Sequence, residues 1–141
     1  MQTGTILIVD DNESVLTSLE LLLEREFERI ETISEPNKIF SVLDKHAIDL
    51  VILDMNFSVG FNTGSEGLFW LQRIHEIKPE LPVIMLTAYG DIDLAVKSLK
   101  NGATDFVLKP WNNDNLIKKI QTVLQETKNK LPAKPVKGPC E

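Results

Sequence analysis

The sequence predicts an α/β domain, a doubly wound sheet of five parallel strands with helices on both faces. Short apolar runs alternate with stretches of helical periodicity five times along the chain, the order that builds βα units. The best-defined runs are continuous, as in Ile6-Leu7-Ile8-Val9 and Leu50-Val51-Ile52-Leu53, which fits strands covered on both faces. Right-handed crossovers then leave few ways to wind the chain.

The elements follow in order. Thr5 to Val9 is the first strand, and Val15, Leu16, Leu19, Leu22 and Leu23 recur at helical spacing up to about Phe27. Arg29 to Ile33 is a short second strand, and Ile39, Phe40, Val42 and Leu43 restore the helical period. Leu50 to Leu53 is the third strand, ending at Asp54. Leu68, Leu71, Ile74 and Ile77 mark a helix closed by Pro79. Pro82 opens the fourth strand, Val83 to Leu86, which ends at Thr87. A helix carrying Ile92, Ala95, Val96 and Leu99 stops at Asn101-Gly102, where glycine takes the left-handed cap conformation without strain. Phe106 to Leu108 is the fifth strand, ending at Lys109-Pro110. The last helix uses Leu116, Ile117, Ile120, Val123 and Leu124 and is expected to stop by about residue 130. Residues 131–141, rich in proline, read as a linker or disordered tail, so the folded domain is expected over 1–125.

Composition narrows the function. A hydrophobic fraction of 43% with 26% charged residues suits a soluble globular domain. No apolar run approaches a membrane span and no signal-peptide pattern opens the sequence. The single cysteine, Cys140, rules out a disulfide framework within the chain and points to the reducing cytoplasm. A formal net charge of −6 without a dense basic stripe argues against direct nucleic-acid binding by this segment.

The chemistry is concentrated at the strand ends. Asp10 and Asp11 follow strand one, Asp54 strand three, Thr87 strand four and Lys109 strand five. In an open parallel sheet the carboxyl ends share one edge, where ligands bind at the reversal of winding. Two unit charges of like sign repel by about 1 kcal/mol at 4 Å in water and roughly 4 at an effective dielectric of 20. Three carboxylates at one edge therefore call for a cation, and Mg²⁺ takes carboxylate, water and phosphate oxygens. The acid pair is read as its seat, with the backbone carbonyl of Asn56 beside it. Lys109 supplies a point charge and Thr87 a hydroxyl for phosphoryl oxygens, which leaves Asp54 as a nucleophile able to accept phosphate as an acyl phosphate.

Singly, each residue has a plainer reading. Asp11 or Asn12 would cap the first helix, Asp54 would serve a turn, Thr87 would be a loop hydroxyl and Lys109 a surface lysine. Their joint placement at four strand ends carries the stronger reading. His46 and His75 have no partners for a metal set, and Trp70 and Trp111 read as packing residues.

Over about residues 4 to 125 the sequence resembles the receiver domain of two-component response regulators, through "ILIVDDNES", "DLVILDMN", "PVIMLTAYG" and "GATDFVLKPW". The resemblance implies a flavodoxin-like (βα)5 fold with strand order 2-1-3-4-5. It implies that a sensor histidine kinase phosphorylates Asp54, with Mg²⁺ held by Asp10, Asp11, Asp54 and the backbone carbonyl of Asn56. Thr87, Lys109 and the backbone of Ala88 would contact the phosphoryl group, and the Lys109-Pro110 bond would be cis. Thr87 and Phe106 would form the switch that remodels the surface of helix four, strand five and helix five, where a second receiver or a C-terminal output domain docks.

One stretch departs from the family pattern. "DMNFSVGFNTGSEGL" is about five residues longer than usual and lacks the usual Met-Pro. Gly60, Gly64 and Gly67 are its expected turn points, and it reads as a tolerated surface insertion or, alternatively, as a cover over Asp54. It also resembles receivers attached to σ54-dependent, nitrogen-regulation-type transcriptional activators. The rival readings are a haloacid-dehalogenase-like phosphatase, a pseudo-receiver binding module without phosphorylation, and a flavodoxin-type carrier. The phosphatase would place its nucleophile after strand one with an acid two residues later; here Asn56 stands in that place relative to Asp54.

Overall fold

The computed structural model describes residues 2–55, 65–88 and 92–136. Its elements run β1 (Gln2–Val9), α1 (Glu13–Leu23), β2 (Phe27–Ile33), α2 (Ile39–Lys45), β3 (Leu50–Asp54), α3 (Ser65–Ile77), β4 (Val83–Ala88), α4 (Ile92–Lys100), β5 (Asp105–Lys109) and α5 (Asn113–Val136). A 3₁₀ turn, Pro36–Lys38, leads into α2. All strand pairs are parallel, as the sequence pattern predicts, and the order is β2-β1-β3-β4-β5, as the family resemblance implies.

Strand alternation explains the two cores. Ile6, Ile8, Ile52, Ile84 and Leu86 meet α1 and α5 on one face, while Leu7, Val9, Val51, Leu53 and Met85 meet α2 and α3 on the other. Both faces of the central strands are covered, and all five residues of β3 are buried. That is why these strands are continuous apolar runs rather than alternating ones.

Local sequence explains several boundaries. Asn12 caps α1, its side chain accepting from the amides of Ser14 (2.9 Å) and Val15 (3.3 Å). The capping job therefore falls to Asn12, not to Asp11. Helix α4 ends in a Schellman arrangement: Ala103 donates to the carbonyl of Ser98 and Gly102, at φ +112°, to that of Leu99.

Several strands run one to three residues beyond the expected bounds, and two helix ends differ from the sequence expectation. Helix α1 ends at Leu23, not near Phe27, because Phe27 is the first residue of β2, fully buried and in register with Gln2. Burying that ring in a strand outweighs one more helical turn of Glu24, Arg25 and Glu26. Helix α5 runs on to Val136, past the expected stop near 130, although Pro132 and Pro135 each remove an amide donor from its ladder.

Residues 56–64, with Asn56, Phe57, Val59, Gly60, Phe61 and Gly64, lie outside the described residues. Gly67 is not a loop turn as expected; it sits in the first turn of α3 and donates to the Met55 carbonyl at 3.0 Å. A Cβ there would stand 2.7 Å from the Met55 Cα and carbonyl carbon. Glycine lets α3 start against the end of β3, one residue beyond Asp54. Gly67→Ala should therefore cost about 1–3 kcal/mol of unfolding free energy through overpacking. Urea denaturation measures it, and an unchanged midpoint would show that α3 does not need this approach.

Candidate functional site

Register brings the strand ends level. Val9 pairs with Leu53, Asp54 with Leu86, and Ala88 with Lys109. Asp10 leaves β1 beside β3, with its amide donating to the carbonyl of Ile33. Side chains alternate between faces along a strand. Asp10, Asp54 and Lys109 therefore share the parity of Ile8, Ile52 and Val107, on the α1/α5 side. Thr87 and Phe106 take the opposite parity, on adjacent strands.

The charged residues converge. The Lys109 ammonium donates to Asp54 Oδ1 at 3.0 Å and to Asp10 Oδ2 at 3.2 Å. Asp10 Oδ1 accepts the Asn12 amide at 2.9 Å. Asp10 and Asp54 are buried, 1% and 4% exposed, whereas Asp11 is half-buried. Asp10, Asp11 and Asp54 each offer a carboxylate oxygen, and these oxygens lie within 4.8 Å of one another. Thr87 is 1% exposed and its hydroxyl oxygen has no hydrogen-bond partner among the described residues. Ala88, at the exposed end of β4, lies in register with Lys109, and the Lys109-Pro110 peptide is cis. Asn56 lies outside the described residues. His46 and His75 belong to no cluster of metal-ligating groups among them; His75 instead packs against Gly102. Trp70 and Trp111 pack against the two cores.

Burial raises the Asp10 carboxyl above its ordinary value, even though the Asn12 amide and Lys109 pull it down; Asp11 adds to the rise. Burial works to lower Lys109, but the attraction of Asp54 and Asp10 outweighs it and the ammonium is held above its ordinary value. Lys109 is thus firmly charged at neutral pH, yet one lysine does not fully offset the acids. Three converging carboxylates, one of them buried and reluctant to ionise, form a donor set suited to a hard divalent cation.

Sequence reasoning missed Lys119. On α5, its ammonium donates to the Phe106 carbonyl at 2.9 Å and to Asp105 Oδ1 at 3.3 Å. A single lysine on an amphipathic helix gives no signal of such a contact.

This fold and edge constellation define a class of signalling domain. The family model for the response regulator receiver domain matches residues 6–121, and the chain belongs to that family. Among its relatives, the DNA-binding transcriptional regulator NtrC of Proteus hauseri is 31% identical over 124 residues, covering 88% of this chain and 25% of that protein. The transcriptional regulatory protein ZraR of Escherichia coli K12 is 30% identical over 122 residues, covering 86% and 26%. The chain thus spans about a quarter of the length of these relatives. Among solved structures, the N-terminal signal receiver domain of a two-component response regulator from Bacteroides fragilis shares 45% identity at a TM-score of 0.79, covering 88% of this chain and 98% of that one. NtrX from Brucella abortus shares 29% identity at a TM-score of 0.86, covering 96% and 30%.

The raised Asp10 value fixes the sign of a pH effect. A carboxyl whose folded value lies above its unfolded one favours folding at low pH, and that advantage is lost as pH rises through the folded value. At neutral pH, well above the ordinary Asp value of 3.8, Asp10 therefore weighs against the metal-free fold. Asp10→Asn should raise the melting temperature of metal-free protein at pH 7, and the gap should close as pH falls toward the ordinary Asp value of 3.8. Thermal unfolding across that range checks it; a less stable variant at pH 7 would contradict it.

Proposed function

We propose that this domain is the phosphoacceptor switch of a two-component response regulator. A carboxylate oxygen of Asp54 attacks the phosphorus of a phosphohistidine on a sensor histidine kinase. The P–N bond breaks, the histidine leaves, and an acyl phosphate forms on Asp54. Asp10, Asp11 and Asp54, with the Asn56 carbonyl, would hold Mg²⁺, which when bound neutralises charge on the carboxylates and the transferring phosphoryl group. Lys109 pairs with a phosphoryl oxygen, the Ala88 amide and the Thr87 hydroxyl donate to others, and the chain catalyses only its own phosphorylation and dephosphorylation. The observation that carries this reading is the Lys109 ammonium bonded at once to Asp54 and Asp10, with a third carboxylate within reach.

The buried Thr87 hydroxyl, without a hydrogen-bond partner among the described residues, supports a reading of the output. Thr87 turns toward the phosphoryl group, and Phe106, on the same sheet face of the next strand, takes up the space. Flipping such an equilibrium from 1:99 to 99:1 takes about 5.5 kcal/mol of differential stabilisation. The surface it would remodel carries Ile92, Val96 and Leu99, an exposed apolar stripe one to two turns apart on α4. Beside it is a cavity of about 320 Å³ lined by Phe106, Pro110, Trp111 and Leu116. A second receiver or a C-terminal output domain would dock there. The likeness to NtrC and ZraR supports an output that regulates transcription, in the manner of σ54-dependent activators. A cytoplasmic setting suits that role, and no helix among the described residues is long and apolar enough to cross a membrane.

The test uses acetyl phosphate as donor. With Mg²⁺ the wild-type chain should take up one phosphoryl group, seen by intact mass, and Asp54→Asn should take up none while keeping its circular dichroism spectrum. Chelation of Mg²⁺ should abolish labelling of the wild type. Labelling of Asp54→Asn, or none of the wild type, would overturn the reading.

A further inference from the structure

Phe106 is clasped from outside the site. Its amide donates to Asp105 Oδ1 at 2.8 Å, and its carbonyl accepts from the Lys119 ammonium at 2.9 Å. The same Asp105 oxygen also pairs with Lys119 at 3.3 Å, so the three groups close a ring. The Lys119 nitrogen lies 5.8 Å from the Phe106 ring centroid, within cation–π range. β5 is an edge strand, so a lysine on α5 can reach round to it. The plainer role for Lys119 is to cap a carbonyl on an exposed sheet edge. That role accounts for the carbonyl bond but leaves the ring contact unused.

The ring contact bears on the switch. Phe106 is half-buried, leans on the α2/α3 core and borders the open cavity beside Trp111. Thr87 shares its sheet face one strand away. A ring that moves toward Thr87 leaves the Lys119 ammonium; a ring that stays keeps it.

We propose that Lys119 is a positioning residue which, with Asp105, clasps Phe106 in its present arrangement and so sets how often the unphosphorylated domain visits the switched one. This rests on the reading of Thr87 and Phe106 as the switch pair. The contacts of Lys119 with Asp105 and with the carbonyl and ring of Phe106 make Phe106 its route to the switch. A contact that favours one state over the other shifts the population by its differential strength. For a cation–π contact at a half-exposed site, that is about two- to fivefold.

The test is made on unphosphorylated protein. Relaxation-dispersion NMR on the Phe106 ring and the Thr87 methyl group gives the population of the minor state. Lys119→Met keeps the aliphatic stem and loses the charge; it should raise that population about two- to fivefold. Lys119→Arg should stay near the wild-type value. An unchanged or lowered population in Lys119→Met, an arginine variant that behaves like methionine, or no exchange in any of the three proteins would overturn the proposal. Should Lys119→Met fail to fold, Asp105→Ala is read in its place; a rise supports the clasp and no rise overturns it. Labelling of the wild type by acetyl phosphate is scored separately, so loss of the phosphoacceptor reading is distinguishable from loss of the clasp.

Discussion

The site depends on one constraint: buried carboxylates from two separate strands are held at one edge by a single ammonium. Lys109 reaches Asp54 at 3.0 Å and Asp10 at 3.2 Å. Removing one partner of a buried pair leaves an uncompensated charge, which costs about 3–5 kcal/mol when burial is complete. Lys109 is itself 28% exposed in its side chain, so water meets part of that demand. Three converging carboxylates face this one ammonium, a deficit of positive charge, and Asp10 is raised first by its burial, with Asp11 adding to the rise.

Such a deficit suits the proposed role. A site optimised for stability would neutralise its acids or replace them with packed apolar side chains. Here the apolar segments Ile6 to Val9, Leu50 to Leu53 and Val83 to Leu86 are buried, and the imbalance lies just beyond them. An added cation, and then an added phosphoryl group, would change the balance among Lys109, Thr87 and β5 without disturbing the core. The two sheet faces divide the labour, since Asp10, Asp54 and Lys109 share one parity while Thr87 and Phe106 share the other.

Much of this was legible in the sequence because it depends on strand termini. Continuous apolar runs fix where a buried strand stops, and parallel topology sends all such stops to one edge. Asp10, Asp54, Thr87 and Lys109 are therefore found together by counting along the chain. What escaped depends on contacts between distant residues. The end of α1 is set by pairing of Phe27 with Gln2. The role of Gly67 is set by its approach to Met55, and that of Lys119 by the edge position of β5. None of these leaves a periodic trace. The stripe of Ile92, Val96 and Leu99 was legible as helical, but not that it faces outward while the small residues Ala95 and Ser98 are buried.

The central claim is that the carboxylates of β1 and β3 form one cation-hungry centre. Titration of the metal-free protein with Mg²⁺, followed by amide NMR, tests it most directly. The account predicts saturable shifts at Asp11, Asn12, Met55, Ala88 and Lys109, with Asp49 and Leu81 at the opposite edge of the sheet unmoved. Shifts scattered over both edges, or none at the carboxyl edge, would contradict it.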